Sequence, residues 1–401
     1  MQHRRDFLRD SLALGAGALL SSTGAGQLVA PAASNKKVAC LVTTYHRYSH
    51  ADNIVTRFME GYSIIGKSFP PPCKVASLYV EQVTDIDIGQ PLARRWRIPL
   101  CKSIDEALTL GKGKLAVDGV VIVAEHGDYP VNDKGQKLYP RRRFFEETVK
   151  VFRASGRSVP VFNDKHLAWN WKDAKWMYDQ SKELGFPMMA GSSVPVTHRK
   201  PDVQLQSGVE LEGALALGYG HFEVYGFHTL EALQVMTERR QGGETGVKAV
   251  QALEGKEAWQ AAKEGKWDRK LLEAALARVP KRGKQSLEED DADALVYLIE
   301  YRDGLKAAAY LSPRHAHEFG FAGQVKGEKE PVSCWYELPK PQRDHFSFLT
   351  GAAAQMMVTG KATYPVERTL LTTGMLDFLV NSKYQGHKRL ETPELAVAYK
   401  V

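Results

Sequence analysis

Between residues 159 and 196 the pattern of apolar and polar positions changes period twice. Val159, Val161 and Phe162 make a short apolar run of the kind that forms a buried strand. Leu167, Trp171, Ala174 and Tyr178 then recur at three- and four-residue intervals, as they do along one face of a helix. Gly185 stops that pattern, and Met188 and Met189 open a second apolar run. Strand, helix and strand in this order make one βαβ unit whose crossover is long enough to join parallel strands. The polar turn Asn163-Asp164-Lys165-His166 leaves the first of these strands. Ligands of an open parallel sheet bind outside the carboxyl ends of its strands, so this turn is where chemistry is expected.

The same grammar fills the first half of the chain. Apolar runs predict strands at 38–42, 74–80, 98–101 and 118–124, and helical periodicity is expected at 51–62, 90–97, 104–110 and 143–154. Strand and helix alternate throughout, which predicts an α/β fold with a Rossmann-like, doubly wound parallel sheet. Beyond Pro201 the pattern differs. Residues 209–219 alternate, a helix is expected near 229–240, a strand at 247–253, and a charged, Ala-rich helical stretch at 256–279 with Trp259 and Trp267 as its anchors. Hairpins are predicted at 295–311, turning at Asp303-Gly304, and at 319–338, turning at Gly327-Glu328-Lys329. Two helices, about 345–358 and 365–384, end the chain. The expectation is a leader at 1–33, a Rossmann-like domain at 34–195 and an α+β substrate domain with a mostly antiparallel sheet at 196–401.

A length of 401 residues suits two cores, and 43% hydrophobic with 25% charged residues is ordinary for a water-soluble fold. The net charge of +7 is dispersed, and the basic groups at 141–143 and 281–284 read as solvated surface. Neither a basic face interleaved with aromatics nor a nucleic-acid module is found, so nucleic acid is not an expected partner. Arg4 and Arg5, followed by Phe7-Leu8, a mildly apolar stretch and Ala30-Pro31-Ala32, have the order of a twin-arginine export signal with its cleavage site. That order predicts the twin-arginine translocase as a transient partner and a periplasmic or otherwise exported mature chain. The apolar stretch at 12–20 is too short for a permanent membrane anchor. Cys40, Cys73, Cys101 and Cys334 lack the close spacing of a structural zinc site.

Several short segments together resemble one family. They are Ala93-Arg94-Arg95-Trp96, Ser103-Ile104-Asp105-Glu106-Ala107-Leu108, Asp118-Gly119-Val120-Val121-Ile122, Pro160-Val161-Phe162-Asn163-Asp164-Lys165-His166-Leu167, Leu184-Gly185-Phe186-Pro187 and Tyr225-Gly226-Phe227-His228-Thr229-Leu230-Glu231. With Tyr364-Pro365-Val366-Glu367 near the end, the pattern resembles the Gfo/Idh/MocA oxidoreductases over nearly the whole chain beyond the leader. The resemblance implies a nicotinamide-binding domain joined to a substrate domain, and a sugar or polyol derivative as substrate. It places Lys165 at the family's catalytic lysine and His228 at its catalytic histidine, with Asp164, His166, His126 and Glu231 around the substrate. A lysine ammonium eases deprotonation of a hydroxyl, and an imidazole takes or gives a proton near neutral pH.

The first loop departs from the family. A dinucleotide fold has glycines after its first strand so that helix N-terminal amides reach the pyrophosphate. Here Thr43-Thr44-Tyr45-His46-Arg47-Tyr48-Ser49-His50 contains none. Thr43, Thr44 and Arg47 are the groups left to meet a phosphate, and Glu81 is placed to meet a ribose diol of NAD in preference to NADP. The expectation is therefore a degenerate loop and, if NAD or NADP is used at all, a tightly held one. Two alternatives stay open. His46, His50, His126, His166 and His228 with Glu125, Asp128 or Asp164 could hold a divalent metal for lyase, epimerase or hydrolase chemistry, or the chain could bind carbohydrate without turnover. Assembly into an oligomer is also left open.

Overall fold

The computed structural model describes residues 34–340 and 343–401. The arginine pair and the cleavage pattern lie outside the described residues. Six strands, β1 (Lys37–Val42), β2 (Lys74–Val80), β3 (Leu100–Cys101), β4 (Gly119–Val123), β5 (Val161–Asp164) and β6 (Met188–Gly191), form one sheet in the order β3-β2-β1-β4-β5-β6. Every pair in it is parallel. The order reverses between β1 and β4, which opens a crevice at their carboxyl ends. All five residues of β4 are buried, as a strand covered on both faces requires.

The two faces alternate residue by residue along β1. Ala39 and Leu41 pack with Phe144, Phe145 and Phe152 of helix α4 (Arg141–Ser155), beside α3 (Ile104–Thr109) and α5 (Trp171–Glu183). Val38, Cys40 and Val42 face the other way, toward Ile54, Val55 and Phe58 of α1 (His50–Glu60); α2 (Gly89–Arg95) lends Ala93 to the same core.

The second half forms an eight-stranded sheet in which the two predicted hairpins appear, β9 (Leu295–Tyr301) with β10 (Lys306–Ser312) and β11 (Phe319–Val325) with β12 (Val332–Tyr336). Strand β7 (Leu211–Tyr219) joins the hairpins, antiparallel to β11 and parallel to β10, and β8 (Val247–Glu254) extends the sheet beyond β9. Helix α6 (Val224–Thr237) starts five residues earlier than the pattern suggests. Eleven of its residues are buried, so it lacks the one-sided stripe from which a helix start is read. The stretch at 256–279 breaks into α7 (Gly255–Lys263) and α8 (Arg269–Leu276), and Trp267 donates its indole N–H to the Ala258 carbonyl.

Of the last two helices, α10 (Val366–Tyr384) packs with α6 in the core beneath the second sheet. Helix α9 (His345–Thr359), which the sequence groups with the second domain, lies instead on the parallel sheet, where Phe346, Leu349 and Met357 share a core with β1 and α1. The chain thus returns to its first half.

Candidate active site

The carboxyl ends of β4 and β5 carry two strained residues. Lys165 has φ 61° and His126 φ 68°, left-handed conformations that cost a side-chain-bearing residue about 1–2 kcal/mol each. Lys165 is held there by a reciprocal pair of backbone bonds, its N–H to the Gly191 carbonyl at 3.1 Å and the Gly191 N–H to its own carbonyl at 3.0 Å. Gly191 has φ 119°, and a Cβ there would lie 2.6 Å from Glu231 Oε1, so no other residue fits without displacing that carboxyl. Glu231 accepts from the Ser192 N–H at 2.8 Å, and burial lifts its pKa to about 7. The acid assigned to substrate therefore lies behind β6 and fixes the strand end that positions Lys165.

A chain of buried charges runs across the crevice floor. Lys165 Nζ lies 3.0 Å from Glu125 Oε1, and Arg141 pairs with Glu125 Oε2. Burial, the largest influence on Glu125, favours its neutral form, yet Lys165 and then Arg141 hold it well below the ordinary carboxylate range. Arg141 Nη1 reaches His166 Nε2 at 3.2 Å, and Glu223 Oε1 lies 3.8 Å from the same nitrogen. Burial, then Arg141, pushes the His166 pKa well down, so the ring is neutral. Arg141 has no lone pair to offer, so Nε2 accepts and the ring proton sits on Nδ1. Burial raises Glu223 to about 7. On the far side of Lys165, His50 Nδ1 meets Asp164 Oδ2 at 2.7 Å.

His228 stands in the second turn of α6, and after burial Lys165 is the strongest influence lowering its pKa well below the usual value. Among the buried polar atoms without a hydrogen-bond partner are Thr44 Oγ1, His126 Nε2, Asn163 Oδ1, Asp164 Oδ1 and His166 Nδ1 at the strand ends and His228 Nδ1 on α6. Such orphans are rare in folded proteins, and their clustering at these strand ends makes this region the candidate polar site. Glu125, Arg141, Glu223 and His50 carry much of this geometry without having been assigned to it by family likeness. Arg141 opens a run of three arginines that reads as surface, yet it is fully buried. Only the position of Glu125 and His126, directly after the apolar run of β4, signals them in the sequence.

The residues expected to hold a dinucleotide are engaged with the protein itself. Thr43 Oγ1 donates to the Glu125 carbonyl at 2.8 Å, and Tyr45 turns into the core to meet Thr56. At the start of α1, Ser49 Oγ accepts from the Asp52 N–H at 3.2 Å, Asp52 Oδ2 accepts from the Tyr48 N–H at 2.8 Å, and the Ser49 N–H goes to the His46 carbonyl. A side-chain carboxylate of the helix thus stands where a pyrophosphate would accept. Arg343 closes over this turn, donating to the Tyr48 carbonyl at 2.8 Å and covering its ring, while the Arg47 guanidinium lies 5.2 Å from the same ring. Glu81 accepts from Tyr129 at 2.6 Å and from Tyr79 at 3.3 Å and pairs with Arg143, so it is already engaged within the protein. Thr44 alone among these residues presents a free oxygen. Thr43, Tyr45, Ser49, Asp52 and Glu81 are thus hydrogen-bonded within the protein.

Nor do the histidines form a ready metal site. His46 and His50 rings each lie 5.4 Å from that of His126, but no group of three His, Cys, Asp or Glu able to hold a metal occurs among the described residues. Cys40, Cys73, Cys101 and Cys334 are unpaired. No helix among the described residues is long and apolar enough to cross a membrane.

Six parallel strands in this order, joined to a second unit with a mostly antiparallel sheet, define a Rossmann-type fold with a second α+β domain. No protein-family model and no curated protein matches the sequence. Solved structures do match in shape. GenD2 from gentamicin A biosynthesis, in complex with NAD, superposes with a TM-score of 0.53 at 13% identity, over 90% of this chain and 98% of its own. Myo-inositol dehydrogenase from Lactobacillus casei, in complex with NAD(H) and myo-inositol, gives 0.55 at 9% identity, over 89% and 97%. The apo scyllo-inositol dehydrogenase of the same organism gives 0.55 at 10%, over 89% and 98%. At such identities the likeness is one of fold.

Proposed function

We propose that this chain is an exported Gfo/Idh/MocA-type enzyme that acts on a sugar or polyol derivative in the crevice between its domains. One observation carries the reading: unpartnered buried polar atoms cluster at the strand ends that carry Lys165 and recur on His228 of α6. A hydroxyl-rich ligand supplies donors and acceptors to such groups. The Lys165 ammonium hydrogen-bonds a substrate hydroxyl and eases loss of its proton, and the neutral His228 imidazole accepts it. Arg141 and Glu125 position Lys165, and the pair His50–Asp164 fixes the opposite wall. This is the proton half of carbinol–carbonyl interconversion, in keeping with a fold shared with dehydrogenases whose structures hold NAD.

A second reading is favoured by the self-capped turn at Ser49 and Asp52 and by the engaged Glu81. On it the same acid–base groups serve redox-neutral epimerase, lyase or hydrolase chemistry. Losing two charge-assisted amide bonds to a pyrophosphate, each worth about 1.5–3 kcal/mol, lowers affinity by roughly two to four orders of magnitude. Calorimetry of the purified protein is therefore expected to show no reversible micromolar binding of NAD(H) or NADP(H). Absorbance of the supernatant after denaturation separates the readings, since a stoichiometric dinucleotide marks a dehydrogenase that keeps its cofactor and its absence marks the redox-neutral enzyme. Ordinary low-micromolar exchange would refute the loop argument.

Export is proposed from the order Arg4-Arg5, apolar stretch and Ala30-Pro31-Ala32. Replacing both arginines by lysine is expected to leave a longer precursor in the cytoplasm. An undiminished periplasmic fraction would remove the signal assignment.

A further inference from the structure

The His50 ring is oriented through one nitrogen and open at the other. Its Nδ1 lies 2.7 Å from Oδ2 of Asp164, whose side chain has no exposed surface. A carboxylate only accepts, so Nδ1 donates and the lone pair stays on Nε2. That second nitrogen makes no hydrogen bond among the described residues and is not sealed from water, the side chain being 15% exposed. Two rings hold the imidazole from the sides: Phe346 of α9, edge-on with centroids 5.1 Å apart, and His126 at 5.4 Å. An imidazole fixed by a buried carboxylate, with its other nitrogen free, is arranged to take a proton.

Asp164 and Lys165 are consecutive at the end of β5, so one strand end sets both this imidazole and the ammonium. Beyond the effect of burial, Glu125, His126 and His228 each feel the charge of both His50 and Lys165, which puts the two in one neighbourhood. Loss of a hydroxyl proton needs one acceptor, and His228 fills that part in the reading above. The His50–Asp164 pair is then a base more than carbinol–carbonyl interconversion uses. A second base near a lysine suits a second proton transfer. In a keto sugar the next acidic proton is on the carbon beside the carbonyl, and a positioned cation stabilises the enolate oxygen that its loss creates.

Resting on the sugar reading proposed above, we infer that this site enolises keto sugars, with His50 taking the proton from the carbon beside the carbonyl. The C–H bond breaks and its proton goes to His50 Nε2. Its electron pair becomes the new C=C bond, and the carbonyl π pair moves to the oxygen held by the Lys165 ammonium. Return of a proton from Nε2 to carbon restores a ketone, so no oxidant or reductant is consumed. In heavy water that carbon gains deuterium.

Calorimetry with glucose, myo-inositol, fructose and 2-keto-myo-inositol selects the ligands that bind, and proton NMR in heavy water follows the signals beside the carbonyl of the tighter ketone. Wild type is expected to speed their loss at least about a hundred-fold over buffer. His50→Gln is expected to remove most of that gain while affinity stays within a few-fold, and Asp164→Asn, which keeps shape and deletes the carboxylate, to remove part of it. Thermal melts show that the variants are folded. Nitrogen-15 NMR of wild type, which needs neither ligand nor variant, is expected to show the neutral His50 ring protonated on Nδ1. A ketone that binds without exchanging, exchange that survives His50→Gln, or a ring protonated on Nε2 overturns the enolisation and leaves the sugar reading standing. If none of the four ligands binds, both fall.

Discussion

Glu125→Gln is expected to destabilise the protein by about 3–5 kcal/mol, the usual cost of removing one partner from a buried charge cluster. Glutamine keeps the shape of the side chain and deletes its charge. Lys165 and Arg141, both buried, then face each other's side of the crevice with no counter-charge between them. The expected reading is a lower urea midpoint with an unchanged slope, since the surface exposed on unfolding is the same. The effect also has a pH signature. The carboxyl of Glu125 is held well below its ordinary value in the folded protein, so its contribution is complete above the unfolded-state pKa of about 4.3 and fades as pH falls through the folded value. The wild-type advantage over Glu125→Gln is therefore expected to be constant from neutral pH down to about 5 and to shrink in more acidic solution. A stability loss under about 1 kcal/mol at neutral pH would mean that water or rearrangement satisfies the two cations, and the charge chain drawn here would not exist.

The second large effect is catalytic. Lys165→Met is expected to lower turnover of the sugar selected by calorimetry by at least about a hundred-fold, the lower end of what a positioned proton-transfer group supplies. Its structural cost should be smaller than that of Glu125→Gln, because Arg141 remains to neutralise Glu125. A strand-end turn residue would by itself cost little to replace. Lys165 is instead buried and ion-paired, so some stability is lost with it. Equilibrium unfolding of the variant separates that loss from the catalytic one. Turnover within a few-fold of wild type, in a variant that still folds, would move the proton-transfer role elsewhere.

Much of the first half of the chain is legible because its central strands are buried on both faces and its helices are amphipathic, although the short hairpin of Tyr62–Ile64 with Lys67–Phe69 is not. Expected strand 74–80 is observed as Lys74–Val80, and expected 118–124 as Gly119–Val123. The hairpins of the second sheet are legible from their turns, and Gly304 indeed sits at φ 95° where the chain reverses. Helix α6 is where the pattern fails. It is sandwiched between the second sheet and α10, so its apolar residues follow packing on all sides and carry no 3.6-residue period. Helix α9 is legible as a helix, but nothing local in its residues says on which sheet it lies.

What the sequence by itself determined is the alternation that builds a doubly wound sheet, the polar turn at Asp164-Lys165-His166 and the absence of glycine from the loop after β1. These are local properties, set by periodicity and by the backbone freedom of single residues. Only the tertiary structure decided that Arg141, from a run that looks like surface, neutralises Glu125 at the heart of the crevice. It also decided that Glu81 is consumed by Tyr129, Tyr79 and Arg143, and that Glu231 braces β6 from behind. Each of these depends on a partner 39 or more residues away along the chain, except the Arg141–Glu125 pair at a separation of 16 and the Glu81–Tyr79 bond at 2. Whether a charged side chain meets water or another charge is fixed by how strands and helices are stacked, and a single sequence states its charges without stating that stacking.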